Sequence, residues 1–467
     1  MTGLSTSDAA ELEATLIRFA RDGRLPGAAA GVVLGGELAW SAAAGFADLA
    51  ARRPATPQTL YRIASITKTM TGTAIMRLRD AGQLGLDDPA VSYLPELRGA
   101  DSPYAPIEAV TIRRMLSHQS GLAMDPDGTD WTAAAYQGVP GQTLASAADI
   151  HLRIPPSAQH KYSDLAYQLL GEIVTRVSGV PYHQYLRDRV LDPLGMTATG
   201  FEPLAESLLP RRAAGYDFRT LTDELDLAPD TPPVWAEGGL WSCVPDLARW
   251  LAFQLTAYPG QDAASPVLAA ASLREMHRPH YLADDSWTRA WGISWCGNRR
   301  DDAIWIQHSG WLPGFTSMIC FDPGSGVGAV GLINGTSDGG DLALELASAA
   351  RRLIKPPAPV ISVPAPAPDG CRPLLGVYSR PSFGGWMLRL EWRDGQLAFV
   401  SPELPGFTLA LIPTGDPDVF VAGPGTNFAG EQIMFRRRAD GRVTSVLLVE
   451  TTLARLDLVA ADPGSDG

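Results

Sequence analysis

The sequence has few cysteines and no surplus of basic residues, and both features narrow the range of functions. Cys243, Cys296, Cys320 and Cys371 form no C-x-x-C pair, so neither a zinc site nor a disulfide framework is indicated. The 38 lysines and arginines are outnumbered by 51 aspartates and glutamates, and the net charge is −13. Such a chain is a poor binder of nucleic acid or of an anionic membrane surface. We expect neither a metal nor an organic cofactor.

Long apolar runs are also missing. No stretch approaches the roughly 20 residues that a transmembrane helix needs. The N-terminal segment has no basic stretch followed by a continuous apolar one, so no secretory signal is indicated. We therefore expect a cytoplasmic protein that does not bind membranes. With 467 residues, 45% hydrophobic and 19% charged, the chain is globular and long enough for two or more domains.

Strand-like patterns lie on both sides of a helical middle. Residues 31–49 contain a Gly-Gly pair between two short apolar runs, which predicts a β-hairpin. Residues 303–333 return to strand patterns, and a helix is predicted over 341–354. A helical subdomain is predicted between about residues 90 and 290. Residues 1–354 are thus predicted to form an α+β domain, with one antiparallel sheet built from early and late strands and flanked by helices.

The C-terminal region has a different pattern. Residues 355–370 alternate proline with small residues, which predicts a semi-rigid extended linker. Between residues 374 and 458, short strand-like runs are separated by turns such as Arg-Asp-Gly. This pattern is typical of a small antiparallel barrel or sandwich. We place this all-β domain at residues 371–467.

The chemical signal begins in YRIASITKTMTGTAIM, residues 61–76. Ser65 and Lys68 are three residues apart on a predicted helix, so they share one face. A serine hydroxyl is a weak nucleophile until a base takes its proton, and Lys68 is within reach. A helix start also leaves the Ser65 N–H unpaired and favours negative charge, which would supply half of an oxyanion hole. The pair alone is not diagnostic, because serine and lysine are common in helices.

Two later segments carry residues that could complete such a site. Tyr162 precedes a predicted helix; it could move a proton beside the serine–lysine pair, or be a half-buried aromatic residue at a helix start capped by Asp164. His308, in His-Ser-Gly at the end of a predicted strand, could be a hydrogen-bond donor or a purely structural residue. Gly310 would let a substrate approach the backbone. His118, in SHQSG, is interpreted as a hydrogen-bonded structural histidine at a helix end.

In this order and spacing, the three segments resemble the motifs of the penicillin-recognising serine hydrolases. The resemblance is to the class C β-lactamase-like group, which includes esterases, D-stereospecific peptidases and amidases, transacylases, β-lactamases and penicillin-binding-protein-type thioesterases. It covers roughly residues 8–354, including MLSHQSGL at 115–122 and EGGLWSCVPDLARW at 237–250. Residues 374–458 resemble the lipocalin-like C-terminal domain of some members. The resemblance implies a β-lactamase/transpeptidase-like fold.

The resemblance also implies residue roles. Ser65 would form the acyl-enzyme, and Lys68 and Tyr162 would move protons to and from the hydroxyl and the leaving group. The oxyanion hole would consist of the backbone N–H groups of Ser65 and Trp311. Trp311 is further predicted to line an acyl pocket, and Arg455 to bind a substrate carboxylate. The residues predicted to contact substrate are Ser309, Gly310, Trp311, Trp235 and Arg455.

Two positions depart from the family pattern. Asp164 stands where asparagine is usual; an ionised carboxylate cannot donate to a substrate amide, and it would hold Lys68 protonated. We therefore expect the role of base to shift toward Tyr162. His308 stands where lysine is usual, so a permanent cation for a substrate carboxylate is missing. Both departures argue against a secreted β-lactamase or a cell-wall peptidase.

These observations predict a serine hydrolase or acyltransferase that acts through acyl-Ser65 on an ester or amide of a small or peptide-like substrate. Ester hydrolysis should be the most readily measured activity, because esters have good leaving groups. Two other functions stay open. One is a stand-alone thioesterase or cyclase that releases a nonribosomal peptide from a carrier protein, and the other is a binding protein without catalysis. No oligomeric state is predicted.

Overall fold

A computed structural model of the chain describes residues 4–126, 144, 149–216, 236–258, 265–300, 302–335, 342–354, 366–380, 386–393, 395–401, 407–449 and 451–456. The chain divides into two compact units, Met1–Lys355 and Pro356–Gly467. Most of the predicted linker, residues 355–365, lies outside the described residues.

The described part of the first unit contains eleven strands, and nine of them form one antiparallel sheet. The strands are β1 (Gly27–Leu34), β2 (Glu37–Asp48), β3 (Arg53–Pro54), β4 (Tyr61–Arg62), β5 (Trp241–Ser242), β6 (Tyr281–Leu282), β7 (Arg289–Trp291), β8 (Cys296–Arg300), β9 (Ala303–Leu312), β10 (Phe315–Asp322) and β11 (Val327–Ile333). Their order across the sheet is β3-β2-β1-β11-β10-β9-β8-β7-β6, and β4 pairs with β5 separately. Early and late sequence meet where Ala28 of β1 lies opposite Ile333 of β11. The prediction of one sheet built from early and late strands is confirmed.

The predicted Gly-Gly hairpin connects β1 to β2. Gly35 and Gly36 have φ angles of +59° and +84°, a region that side-chain-bearing residues rarely adopt. The two glycines therefore allow the tight reversal that pairs Leu34 with Glu37.

Helices cover both faces of the sheet. They are α1 (Thr6–Asp22), α2 (Thr67–Asp80), α3 (Ile112–Leu116), α4 (Asp164–Ser178), α5 (Tyr182–Leu186), α6 (Val244–Leu255), α7 (Ala270–His277) and α8 (Leu342–Leu353). Successive residues of a strand point to opposite faces of its sheet. Ala28, Ala30 and Val32 accordingly pack into the core that holds α1 and α8, whereas Ala29 and Val33 pack into the larger core that holds α2, α4 and α6.

The middle of the first unit is mainly helix and loop, and the short strand β5 also lies there. Helices α3 to α7 lie there, together with short 3-10 helices such as Pro95–Gly99 before α3 and Glu206–Arg211 before α6. The sheet begins slightly inside the predicted limit, because β6 starts at Tyr281. None of the described helices has both the length and the apolar character needed to cross a bilayer.

The second unit is a closed barrel of eight antiparallel strands. The strands are β12 (Gly376–Arg380), β13 (Trp386–Arg393), β14 (Gln396–Val400), β15 (Thr408–Pro413), β16 (Val419–Ala422), β17 (Gln432–Arg437), β18 (Val443–Leu448) and β19 (Thr451–Leu456). Pairing of β12 with β19 closes the barrel, with Tyr378 opposite Arg455. The interior is filled by side chains such as Phe399, Leu409 and Val446. Of the predicted barrel or sandwich, the structure shows the barrel.

Candidate active site

Ser65 and Lys68 are in contact. Ser65 lies in the short 3-10 helix Ala64–Ile66, which leads directly into α2. Lys68 is in the first turn of α2, is fully buried, and its Nζ donates to Ser65 Oγ at 2.9 Å. The ammonium also donates to the backbone oxygen of Glu237 at 2.7 Å and pairs with the Asp164 carboxylate. These acceptors already match the three N–H groups of an ammonium.

The charge of Lys68 is fixed by its neighbours. Burial by itself would lower the pKa of Lys68, but the Asp164 carboxylate, with smaller contributions from Tyr162 and Glu237, shifts this pKa above its usual value. Lys68 is therefore an ammonium in the resting site. It cannot accept a proton from Ser65 while it keeps its own, which agrees with the effect expected of Asp164.

Tyr162 is the third member of the site. Burial raises the pKa of its phenol, and the nearby charge of Lys68 opposes that shift only in part. The side chains of Ser65 and Lys68 also lower the pKa of this phenol, and Lys68 Nζ lies 5.2 Å from the centre of its ring. The resting site therefore holds a neutral phenol beside the candidate nucleophile.

Asp164 does not cap α4. The N-cap is Ser163, whose side chain accepts a hydrogen bond from the backbone N–H of Ala166 at 3.0 Å. Asp164 is instead the first residue of the helix, and its carboxylate reaches Lys68. The alternative in which Asp164 served as the cap is thus wrong, because the neighbouring serine satisfies the free N–H group and leaves the carboxylate for the ion pair.

The His118 ring packs against the ring of Tyr162. The two rings are stacked with 4.1 Å between centroids, and His118 Nδ1 accepts from the backbone N–H of Ser163 at 3.2 Å. His118 is completely buried, and burial lowers its pKa well below the usual value, so the ring is neutral. The structure therefore gives His118 the hydrogen-bonded, structural position that the sequence suggested.

His308 and Gly310 lie on β9 beside Ser65. The buried His308 ring donates from Nδ1 to the backbone oxygen of Ser309 at 2.7 Å. Burial, with the charge of Lys68, lowers the pKa of His308 to about 3, so the ring is neutral and does not replace the usual cation. A Cβ added to Gly310 would lie 2.2 Å from the Ile63 oxygen. Gly310 is therefore needed so that β9 can approach the serine-bearing segment.

A cavity of about 550 Å³ opens beside Ser65. The predicted site residues around it are Ser65, Tyr162, Asp164, His308, Ser309 and Trp311. Trp311 is 60% exposed, so its indole is free to contact a bound molecule. Within the described ranges, no group of three or more histidine, cysteine, aspartate or glutamate residues is arranged to hold a metal ion.

Two predicted contact residues are not part of this cavity as described. Trp235 lies outside the described residues. Arg455 lies on β19 in the second unit, where its guanidinium donates to the backbone oxygens of Pro373 and Leu375, both at 2.8 Å. A role for either residue in substrate binding stays a prediction.

The cavity also has walls that sequence reasoning missed. Glu237 begins the segment EGGLWSC, which the family resemblance includes without giving the glutamate a role. Arg289 and Trp291 come from β7, and the Trp291 ring lies 4.6 Å from that of His118. No motif marked this strand. A short strand with a single exposed arginine has no distinctive pattern before the sheet is assembled.

Known proteins resemble this chain over most of its length. The beta-lactamase family model matches residues 12–352. Penicillin-binding protein 4 from Amycolatopsis lactamdurans is 31% identical over 373 residues, which cover 76% of this chain and 93% of that protein. Protein flp from Staphylococcus aureus (strain N315) is 27% identical over 343 residues, which cover 72% of this chain and 65% of that protein.

Solved structures share the fold. The octameric penicillin-binding protein homologue from Pyrococcus abyssi has a TM-score of 0.61 at 23% identity, covering 96% of this chain and 100% of that one. SurE with D-Leu has a TM-score of 0.58 at 21% identity, covering 97% and 100%. At these identities the structural similarity shows the fold alone. Family membership is shown by the match over residues 12–352. This chain belongs to the beta-lactamase family, the family of serine hydrolases that contains the penicillin-binding protein homologues.

Proposed function

We propose that the protein is a serine hydrolase or acyltransferase that forms an acyl-enzyme on Ser65 with an ester or amide of a small or peptide-like substrate. The observation that supports this most directly is the 2.9 Å contact between Lys68 Nζ and Ser65 Oγ at the wall of a cavity. A buried ammonium with a full set of acceptors stabilises negative charge on the serine oxygen.

The proton passes through Tyr162 in this proposal. Ser65 Oγ attacks the substrate carbonyl carbon and gives its proton to the Tyr162 oxygen, while Tyr162 gives its own proton to the leaving group. The bond from carbonyl carbon to leaving group breaks, and acyl-Ser65 and a protonated leaving group remain. This route agrees with a neutral Tyr162 and a protonated Lys68, since neither must change charge beforehand.

The developing oxyanion needs donors. We assign this role to the backbone N–H groups of Ser65 and Trp311, the two positions that the family pattern indicates. The tight approach of Gly310 to the Ile63 oxygen supports the assignment, because it brings β9 against the segment that carries Ser65.

The altered motifs favour esters over charged peptides. His308 is neutral, and the Asp164 carboxylate is occupied by Lys68. Neither residue offers a permanent cation to a substrate carboxylate or an amide donor to a peptide. An activated ester requires the least additional binding and should therefore react fastest.

A thioesterase or cyclase acting on a carrier-bound peptide is a second candidate. The eight-stranded barrel supports it, as does the fold shared with SurE, whose structure was solved with D-Leu. A synthetic peptidyl thioester separates the two functions. A macrocyclic product would favour the cyclase, whereas linear acid alone would favour hydrolysis.

Turnover of a substrate panel tests the proposed function. The panel contains an aryl ester, benzylpenicillin, a D-Ala-terminated peptide amide and a peptidyl thioester. We expect the aryl ester to react fastest, Ser65→Ala to lose turnover of every member, and Ser286→Ala, an exposed loop serine, to match the wild type. Unchanged rates in Ser65→Ala would contradict the proposal and favour a binding protein.

A further inference from the structure

A second carboxyl group lies in the buried cluster around Lys68. Glu237 is 2% exposed and lines the same cavity as Ser65. Its Oε1 accepts from Gln168 Nε2 at 3.2 Å, and its Oε2 has no hydrogen-bond partner among the described residues. None of the proposed steps of acylation uses this carboxyl group.

The backbone holds Glu237 firmly at this place. Thr71 Oγ1 donates to the oxygen of Ala236 at 2.5 Å, and Lys68 Nζ donates to the oxygen of Glu237 at 2.7 Å. The N–H of Leu240 donates to Thr67 Oγ1 at 3.3 Å. Residues 236–240 are therefore fastened along α2, and the Glu237 side chain is part of the site.

The neighbours of Glu237 do not suit a carboxylate. Lys68 donates to Ser65 and to a backbone oxygen and forms its ion pair with Asp164. No cation of the described residues forms an ion pair with the Glu237 side chain. An ionised Glu237 would be buried with only the Gln168 amide and its own backbone N–H as donors, and with no paired cation, which is unfavourable. Burial and the charge of Asp164 also raise the pKa of Glu237 well above its usual value, although Lys68 opposes the shift.

We propose that Glu237 is a positioning residue that works as a neutral carboxylic acid, so that Asp164 is the single negative charge beside Lys68. The amide of Gln168 identifies Oε1 as the carbonyl oxygen, and the proton then resides on Oε2. This role rests on the proposed acylation of Ser65. Negative charge develops there in the transition state, and a second carboxylate next to Lys68 would cancel the stabilisation that the ammonium provides.

The proposal predicts a particular pH dependence. The titratable groups around the carboxyl are Lys68, Asp125, Tyr162, Asp164, Tyr182 and His308. Glu237 is neutral below its raised pKa and becomes charged as the pH increases through it. The acylation rate should therefore fall on the alkaline side, and Glu237→Gln, which has the same shape and no proton to lose, should remove that fall.

Acylation by an aryl ester, measured against pH, tests this role. Near neutral pH, Glu237→Gln should react within about fivefold of the wild type, because the amide keeps the size and the neutral charge. The matched control is Glu202→Gln, a buried carboxyl paired with Arg62 and Arg212, which should lower the melting temperature and leave the pH profile unchanged. Loss of acylation near neutral pH in Glu237→Gln, or an alkaline fall identical to that of the wild type, would overturn the proposal.

Infrared difference spectroscopy tests the protonation state without any substrate. The wild type minus Glu237→Gln spectrum should contain the C=O band of a protonated carboxylic acid at neutral pH. A carboxylate band in its place would show that Glu237 is charged and would overturn the proposal even in an enzyme that acylates normally. An acid band together with the absence of any acyl-Ser65 would instead remove the proposed function, and the role in acylation with it.

Discussion

The active-site end of the first unit and the interior of the barrel bury side chains of opposite character. Around Ser65 the buried residues include Lys68, His118, Asp164, Gln168, Glu237 and His308. In the described part of the barrel the buried residues are apolar apart from Tyr378, whose hydroxyl donates to the Leu374 oxygen, and Ser379. Buried polar groups are unfavourable for folding unless each is paired. Their concentration around Ser65 indicates that the buried residues there serve a reaction. The buried residues of the barrel interior serve the stability of that unit.

Removing the buried cation Lys68 should have the largest effect on both the acylation rate and the stability of the first unit. Lys68→Met should lower the acylation rate by about 1,000-fold or more, because the developing charge on Ser65 loses its main stabilising partner. It should also destabilise the unit by about 3 kcal/mol, since Asp164 is left buried without a partner. Single-turnover kinetics and thermal unfolding measure the two effects. Lys161→Met, which removes a half-buried lysine that donates to the backbone oxygen of Tyr162 at 3.3 Å rather than to Ser65, should have the smaller effect on the rate.

Gly310→Ala should have the next largest effect on acylation. The added methyl group would lie 2.2 Å from the Ile63 oxygen and 2.5 Å from Ser317 Oγ, so β9 must move away from Ser65. A displacement of this kind costs about 100-fold in rate. Gly297→Ala on the neighbouring β8 is the matched control, because its nearest contact would be 3.7 Å. Equal rates for the two variants would contradict the close approach of β9.

The main effect of His308→Gln should be on the pH dependence of the free energy of unfolding. Its effect on the acylation rate at neutral pH should be small. The pKa of His308 is lowered to about 3, so between that value and the usual 6.5 the unfolded chain binds more protons than the folded one. Stability is therefore lost as the pH falls through this window, by roughly 1.4 kcal/mol per pH unit at most. Denaturation at several pH values should show a smaller acid loss in His308→Gln. An equal loss would mean that the folded His308 accepts a proton.

A cavity in the barrel should have the smallest effect on acylation. Phe399 is fully buried, and Phe399→Ala should destabilise the second unit by about 3 kcal/mol. We expect acylation by a small aryl ester to stay near the wild-type rate under conditions where the barrel is folded. Unfolding followed by circular dichroism, with rates measured alongside, separates the two effects. A rate loss comparable to that of Gly310→Ala would show that packing inside the barrel affects acylation at Ser65.

The sequence predicted best where a local pattern carried the information. The Gly35-Gly36 turn, the strands of residues 303–333 and the three-residue spacing of Ser65 and Lys68 each depend on neighbours in the chain. The cap of α4 was missed by one residue, because Ser163 and Asp164 are both good N-caps and only the position of Lys68 decides between them.

Residues whose roles arise only from long-range packing could not be predicted. The backbone oxygen of Glu237 meets Lys68 across 169 positions of sequence, and nothing in the sequence around Glu237 shows that its side chain is buried. Arg289 and Trp291 likewise enter the cavity only after β7 joins the sheet. The resemblance to the family pointed to the segment that contains Glu237. Only the structure shows that this side chain is buried and which residues surround it.

Intact mass spectrometry after brief exposure to an aryl ester tests whether Ser65 carries the acyl group. The wild type should gain the mass of one acyl group, digestion should place that group on the peptide containing Ser65, and Ser65→Ala should gain nothing. An acyl group on another residue, or the same gain of mass in Ser65→Ala, would show that Ser65 is not the nucleophile.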